Sequence, residues 1–146
     1  MAQDTNTPQT AEKKSGTLVV IDDDSDFREK ISGTLRSHGY TVESFESGLH
    51  AFRYMEGMPW SWAPRLVLTD IVMNGIGGFH VMKRVEELYP RRSIPCVVVS
   101  KLSSADYKYE AEASGASAYL AKPVDNQELL NTVDSLLTKK KKQAKK

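Results

Sequence analysis

Four short apolar runs in this chain end in polar residues that could act together. Asp22, Asp23 and Asp24 follow TLVVI, Asp70 follows LVLT, Ser100 closes CVVVS, and Lys122 with Pro123 follows ASAYLA. Gathered in one place, these would be several carboxylates, a hydroxyl and an ammonium. Crowded carboxylates repel, so some stay protonated unless a cation joins them. A hard, oxygen-seeking divalent ion is the natural guest. Magnesium is typically held by one or two carboxylates, waters and a substrate phosphate; manganese is the alternative. Asp70 could then offer one oxygen to the metal and the other as a nucleophile. Lys122 and the metal would neutralise a transferring phosphoryl group, and Ser100 would hydrogen-bond one of its oxygens. Taken singly, each residue has a plainer reading, since Asp and Ser at strand ends often cap the next helix. Complementary chemistry at four such positions outweighs those separate readings.

The elements that must position them alternate. TLVVI (17–21) reads as a strand buried on both faces. Phe27, Ile31 and Leu35 form a helix stripe, with Asp24 or Ser25 as cap and Gly39 as stop. TVESF (41–45) reads as the second strand, and a short helix is expected from about Ser47 to Glu56. RLVLTD (65–70) is the third strand, and Phe79, Met82, Val85 and Leu88 mark the next helix. CVVVS (96–100) and ASAYLAK (116–122) are strands four and five, with a weaker helix at 104–113 between them. Leu129, Leu130, Val133, Leu136 and Leu137 give the clearest helical stripe. Five β-α units in strict alternation predict an α/β fold, a doubly wound parallel sheet covered on both faces. Its strands share one carboxyl edge, where ligands of such sheets bind, and all four polar ends fall there.

The 146 residues make one domain's worth of chain, and the composition, 40% hydrophobic and 27% charged, is that of a globular protein. Three segments are expected: a disordered arm over 1–16, a folded domain over 17–138 and a basic tail over 139–146. The tail, KKKKQAKK, holds six lysines, and without them the formal charge of +1 becomes −5. No aromatic interrupts the lysines to stack on bases, so nucleic-acid binding is expected at most weakly and through charge alone. No apolar run reaches membrane-spanning length, and residues 1–16 do not read as a secretory leader. Cys96 lies in an apolar run and reads as a buried, inert thiol, which suits a cytoplasmic protein.

The motifs VVIDDDSDFR (19–28), LVLTDIVMNGIGGF (66–79), CVVVSK (96–101) and GASAYLAKPV (115–124) resemble the receiver domain of two-component response regulators, over about residues 17–138. That resemblance implies a flavodoxin-like sheet of order 2-1-3-4-5. It implies Asp70 as phosphoacceptor, Asp22 and Asp23 as the acidic pair with Asp23 the direct metal ligand, and the Val72 carbonyl as a third protein ligand. Ser100 matches the switch hydroxyl, and Lys122 the family's lysine, with a cis bond to Pro123. Tyr119 matches the aromatic that turns inward when the hydroxyl moves. The implied donors are a sensor histidine kinase or a histidine phosphotransfer protein. The implied output is a protein partner on the face of helix four, strand five and helix five, where Tyr107 and Tyr109 are candidates.

Some positions depart from the family's pattern. Asn74 stands where proline is usual, so the loop after Asp70 loses a φ restraint, and Gly75, Gly77 and Gly78 add freedom. Lys101 replaces a small residue. Apolar Val72 and Leu102 suit slow self-dephosphorylation. The alternative of a different class is a phosphate-independent interaction module on the same fold. An aspartyl phosphatase would want a second acid at position 72, and a dinucleotide site would want the full G-x-G-x-x-G spacing. His38, His50 and His80 lack metal-ligand spacing, and Trp60 and Trp62 read as packing beneath their loop.

Overall fold

A computed structural model describes residues 13–101 and 105–144. Five strands alternate with five helices: β1 (Thr17–Ile21), α1 (Ser25–Ser37), β2 (Thr41–Phe45), α2 (Gly48–Glu56), β3 (Leu66–Thr69), α3 (Gly78–Leu88), β4 (Cys96–Ser100), α4 (Ala105–Ala113), β5 (Ala118–Ala121) and α5 (Asn126–Ala144). All pairings are parallel, in the order β2-β1-β3-β4-β5, as the resemblance implies. The order in which successive strands are laid down reverses between β1 and β3, and that switch point is where Asp22 and Asp70 emerge.

The apolar runs serve two cores because successive strand side chains point to opposite faces. Leu18, Val20, Leu66, Leu68, Val97 and Val99 pack toward Ile31 and Leu35 of α1 and Leu129 and Val133 of α5. Val19, Ile21, Val67 and Val98 pack toward α2 and α3 through Phe52, Met55, Val81 and Val85. The middle strands are buried along their length, which is why they read as unbroken β-branched runs.

The caps follow the local chemistry. Asp24 is the N-cap of α1, accepting from the N–H groups of Asp26 and Phe27. Ser47 caps α2 through the His50 N–H. Gly39, with φ of 102°, turns the chain out of α1, a conformation that L side chains rarely adopt.

Several boundaries move. Lys14, placed by sequence in the arm, donates to the His38 carbonyl at 2.5 Å and lies over the Tyr40 ring; residues 1–12 lie outside the described residues. Helix α5 runs through residues 139–142 to Ala144, past the boundary drawn at 138, since lysine is a good helix former and cations suit a helix C-terminus. The two tryptophans part ways. Trp62 packs edge-on against Tyr54 and Tyr89, as expected, whereas Trp60 is 91% exposed. No helix among the described residues is long and apolar enough to cross a membrane.

Candidate functional site

The carboxyl edge of the sheet brings the strand-end residues together. Asp22 N–H donates to the Phe45 carbonyl and Asp70 N–H to the Ile21 carbonyl, so both acids are held by extensions of the ladder. Asp22, Asp70 and Ser100 are buried. Lys122 reaches between the acids, with Nζ 2.9 Å from Asp22 Oδ2 and 3.0 Å from Asp70 Oδ2. Its backbone N–H donates to the Ser100 carbonyl at 2.8 Å, and its bond to Pro123 is cis.

The remaining carboxylate oxygens are spoken for by backbone. Asp22 Oδ1 accepts from Asp24 N–H at 2.9 Å. Asp70 Oδ1 accepts from Ile71 N–H at 2.6 Å and Val72 N–H at 3.3 Å. Asp23 is exposed, and its Oδ2 accepts from Asn74 N–H at 2.9 Å. A proline at position 74 could not donate that bond. The departure at Asn74 therefore ties the loop after Asp70 to the acidic run that follows β1.

Charge in this crevice is only half compensated. Burial raises the Asp22 pKa, and the Lys122 ammonium offsets only part of that. Burial alone would lower the Lys122 pKa, but its bonds to Asp22 and Asp70 outweigh it and hold it above the ordinary lysine value. Asp22 Oδ2 pairs with Lys122 by proximity, yet accepts no hydrogen bond of good geometry among the described residues. A buried carboxylate oxygen so placed is a fitting partner for an added cation. The donors are oxygen only, which suits magnesium. Among the described residues no three acidic, His or Cys side chains converge into a ready-made cage; two carboxylates with waters and phosphate are the usual magnesium arrangement.

The glycines after Asp70 do more than loosen the loop. Of Gly75, Gly77 and Gly78, Gly75 alone has positive φ, at 84°. Gly78 packs so closely that a Cβ there would lie 2.2 Å from the Asp70 carbonyl oxygen, and its N–H donates to the Ile71 carbonyl. The start of α3 is thereby pressed against the backbone of Asp70.

Beside Ser100, Tyr119 is half-buried with its hydroxyl inside. Burial raises the hydroxyl's pKa, Asp70's charge adds to this, and Ser100 works against it. The hydroxyl makes no hydrogen bond of good geometry among the described residues. Lys101 and Val72 are exposed, and Leu102 lies outside the described residues. Cys96 is buried far from the crevice, and burial pushes its thiol up to about 12.

Two residues escaped the sequence reading. The Phe27 ring lies under Lys122, 4.2 Å from Nζ, a cation–π contact. Arg28 donates to the Asp22 carbonyl at 2.7 Å. Both lie in the DDDSDFR run, one turn beyond the acids; Phe27 was assigned only to the core stripe. His38, also read as plain, pairs with Asp134 at 2.9 Å, and Tyr40 donates to the same carboxylate.

A doubly wound sheet of order 2-1-3-4-5, with two buried aspartates, a lysine and a serine at its switch point, defines a receiver-type α/β domain. The model of the response regulator receiver domain family matches residues 18–134, and the chain belongs to that family. It is 29% identical over 120 residues to protein PilH of Pseudomonas aeruginosa, covering 82% of this chain and 96% of that one. It is 31% identical over 120 residues to the two-component response regulator-like PRR37 of Oryza sativa subsp. indica, covering 82% of this chain but 16% of the relative; the chain thus spans a small part of that protein's length. Among solved structures, the chemotaxis protein CheY4 of Vibrio cholerae matches with a TM-score of 0.74 at 26% identity, over 85% of this chain and 100% of that one. Receiver domains are signalling domains of two-component systems, and this chain is one of them.

Proposed function

We propose that this receiver is switched by phosphorylation of Asp70. The observation that carries the reading is Lys122 Nζ held 3.0 Å from Asp70 Oδ2 in a buried crevice, beside Asp22, whose carboxylate is under-compensated. A phosphohistidine on a sensor kinase or phosphotransfer protein is the donor. An Asp70 oxygen forms the new P–O bond as the donor's P–N bond breaks, and the imidazole, already protonated on its other ring nitrogen, leaves neutral. Asp22, Asp23, Asp70 and the Val72 carbonyl would hold magnesium, with manganese as a substitute. When bound, the ion neutralises charge on the phosphoryl oxygens.

The chain's own residues do the rest. Lys122 supplies the other cation, steadied by the Phe27 ring. Gly78 and the N–H groups of Ile71 and Val72 fix the Asp70 backbone and carboxylate. The new phosphoryl group draws the Ser100 hydroxyl, and the half-buried Tyr119 ring packs further inward. That movement alters the face of α4, β5 and α5, where a protein partner docks. Slow self-dephosphorylation is favoured by apolar Val72 beside the acceptor. Full conversion of such a switch, from 1% to 99% active, takes about 5.5 kcal/mol of differential interaction.

Intact mass after incubation with acetyl phosphate tests this, with and without magnesium and alongside Asp70→Asn. The expected result is a magnesium-dependent gain of one phosphoryl group, absent in the variant. No gain, repeated with a histidine phosphotransfer protein as donor, would instead favour a phosphate-independent interaction module.

A further inference from the structure

In a parallel sheet the helix ends and the segments entering each strand gather at the edge opposite the crevice. Here that edge gathers many cations, alongside Glu56, Glu86, Glu87 and Glu112 at the ends of α2, α3 and α4. Lys13 and Lys14 precede β1, Arg36 closes α1, Arg65 precedes β3, and Arg91 and Arg92 precede β4. Helix α5 ends at the same edge, and residues 139–142 in its closing turns are all lysine. Among the described residues, none of the six named cations is in ion-pair contact with a carboxylate. Four of them donate to carbonyls instead: Lys14 to His38, Arg36 to Val42, Arg65 to Ser15 and Arg92 to Ser61. Their positions are fixed while their charge stays uncancelled. Arg84 shows the contrast, since Glu56 and Glu87 both pair with it.

Into the same edge projects Trp60, 91% exposed. Its loop is not loose. Trp62 N–H donates to the Pro59 carbonyl at 2.9 Å, the Trp62 ring packs on Tyr54 and Tyr89, and Arg92 holds the Ser61 carbonyl. One indole is anchored inward so that the other is presented outward, next to exposed Pro59. Solvating a whole indole is costly unless something covers it.

We propose that this N-terminal edge docks the domain onto an anionic lipid surface, with Trp60 as the apolar anchor in the headgroup layer. The indole is amphipathic and settles at that level. Stable attachment takes two signals, an apolar anchor and a polybasic patch, and both are present on one edge. A single-stranded nucleic acid fits less well, since such ligands follow a basic groove with successive stacking rings. Here one ring stands on a projecting loop amid dispersed cations. The opposite edge carries Asp22, Asp23, Asp24, Asp26 and Asp70. An anionic surface would therefore repel the crevice and orient it outward, open to a phosphodonor.

Co-sedimentation of the full chain with vesicles tests the proposal. One set is phosphatidylcholine alone, the other includes phosphatidylserine, and a single-stranded oligonucleotide competes. Binding is expected only with phosphatidylserine, and raised salt should weaken it. Trp60→Ala should weaken it about tenfold, and Arg91→Gln about fivefold, both with unchanged circular dichroism. Brominated phosphatidylserine should quench tryptophan emission in the wild type and not in Trp60→Ala, where Trp62 remains. No binding to phosphatidylserine vesicles, equal binding to phosphatidylcholine, indifference to Trp60→Ala, or displacement by the oligonucleotide in preference to lipid would each overturn it.

Discussion

Asp22 and Asp70 stand at the ends of β1 and β3, tied by ladder hydrogen bonds, clamped by Lys122 and backed by Gly78. Across Ser100, the α4–β5 side is held by much less. Ala111 is the buried residue of α4, Tyr107 and Tyr109 face outward, and the inward hydroxyl of Tyr119 makes no hydrogen bond of good geometry among the described residues. The comparison teaches where a domain can hold chemistry and where it can move. Reacting groups need positions fixed to a fraction of an ångström, whereas elements with few buried contacts open and shift at low cost. In the proposed switch the acceptor would sit on the first side and the responsive face on the second, so that one added group could act without unfolding the domain.

The largest effect should come from breaking the clamp. Lys122→Met leaves two buried acids without their ammonium and should cost about 3–5 kcal/mol, read as a fall in the urea midpoint. The wild type's extra stability from Lys122 should be complete below about pH 10, the unfolded lysine value. It should be lost as pH rises through the higher folded value, and the variant should lack that alkaline loss. Gly78→Ala comes next. A Cβ 2.2 Å from the Asp70 carbonyl oxygen forces backbone movement, costing about 1–3 kcal/mol and slowing phosphorylation of Asp70.

Asp22→Asn should act in the opposite direction on stability. Because the folded Asp22 pKa is raised by burial, its charged form is less favoured in the fold than in the unfolded chain. The neutral isostere should raise the melting temperature of the metal-free protein while weakening magnesium binding. Acidification through the raised folded value should stabilise the wild type relative to this variant, down to the unfolded aspartate value of about 3.9. The smallest effect belongs to the loosely held side. Tyr119→Phe removes a hydroxyl that makes no hydrogen bond of good geometry among the described residues and should change stability by less than about 0.5 kcal/mol. Tyr119→Ala should leave phosphorylation intact while weakening the partner response.

Much of this was legible in the chain. Apolar β-branched runs ending in acids, a serine and a lysine placed the crevice, because a parallel sheet puts all such ends on one edge. The capping role of Asp24 was also readable. What escaped depends on contacts that no local pattern encodes. Phe27 looks like a core residue until Lys122, 95 positions away, is brought over its ring. Nothing in PWSWAP distinguishes the buried tryptophan from the exposed one, since Tyr54 and Tyr89 decide it. The bond from Asn74 N–H to Asp23 joins the loops that follow two different strands, so the missing proline looked like a lost restraint when it supplies a new one.

The contrast between the two sides is tested most directly by amide hydrogen exchange, comparing the protein with and without acetyl phosphate and magnesium. Before phosphorylation, α4 and β5 should exchange faster than β1, β3 and α1. Afterwards, the protection changes should concentrate in α4 and β5 and leave the β1 and β3 ladders unaltered. Uniform changes across the sheet, or changes confined to α1 and α2 with α4 and β5 silent, would contradict the account.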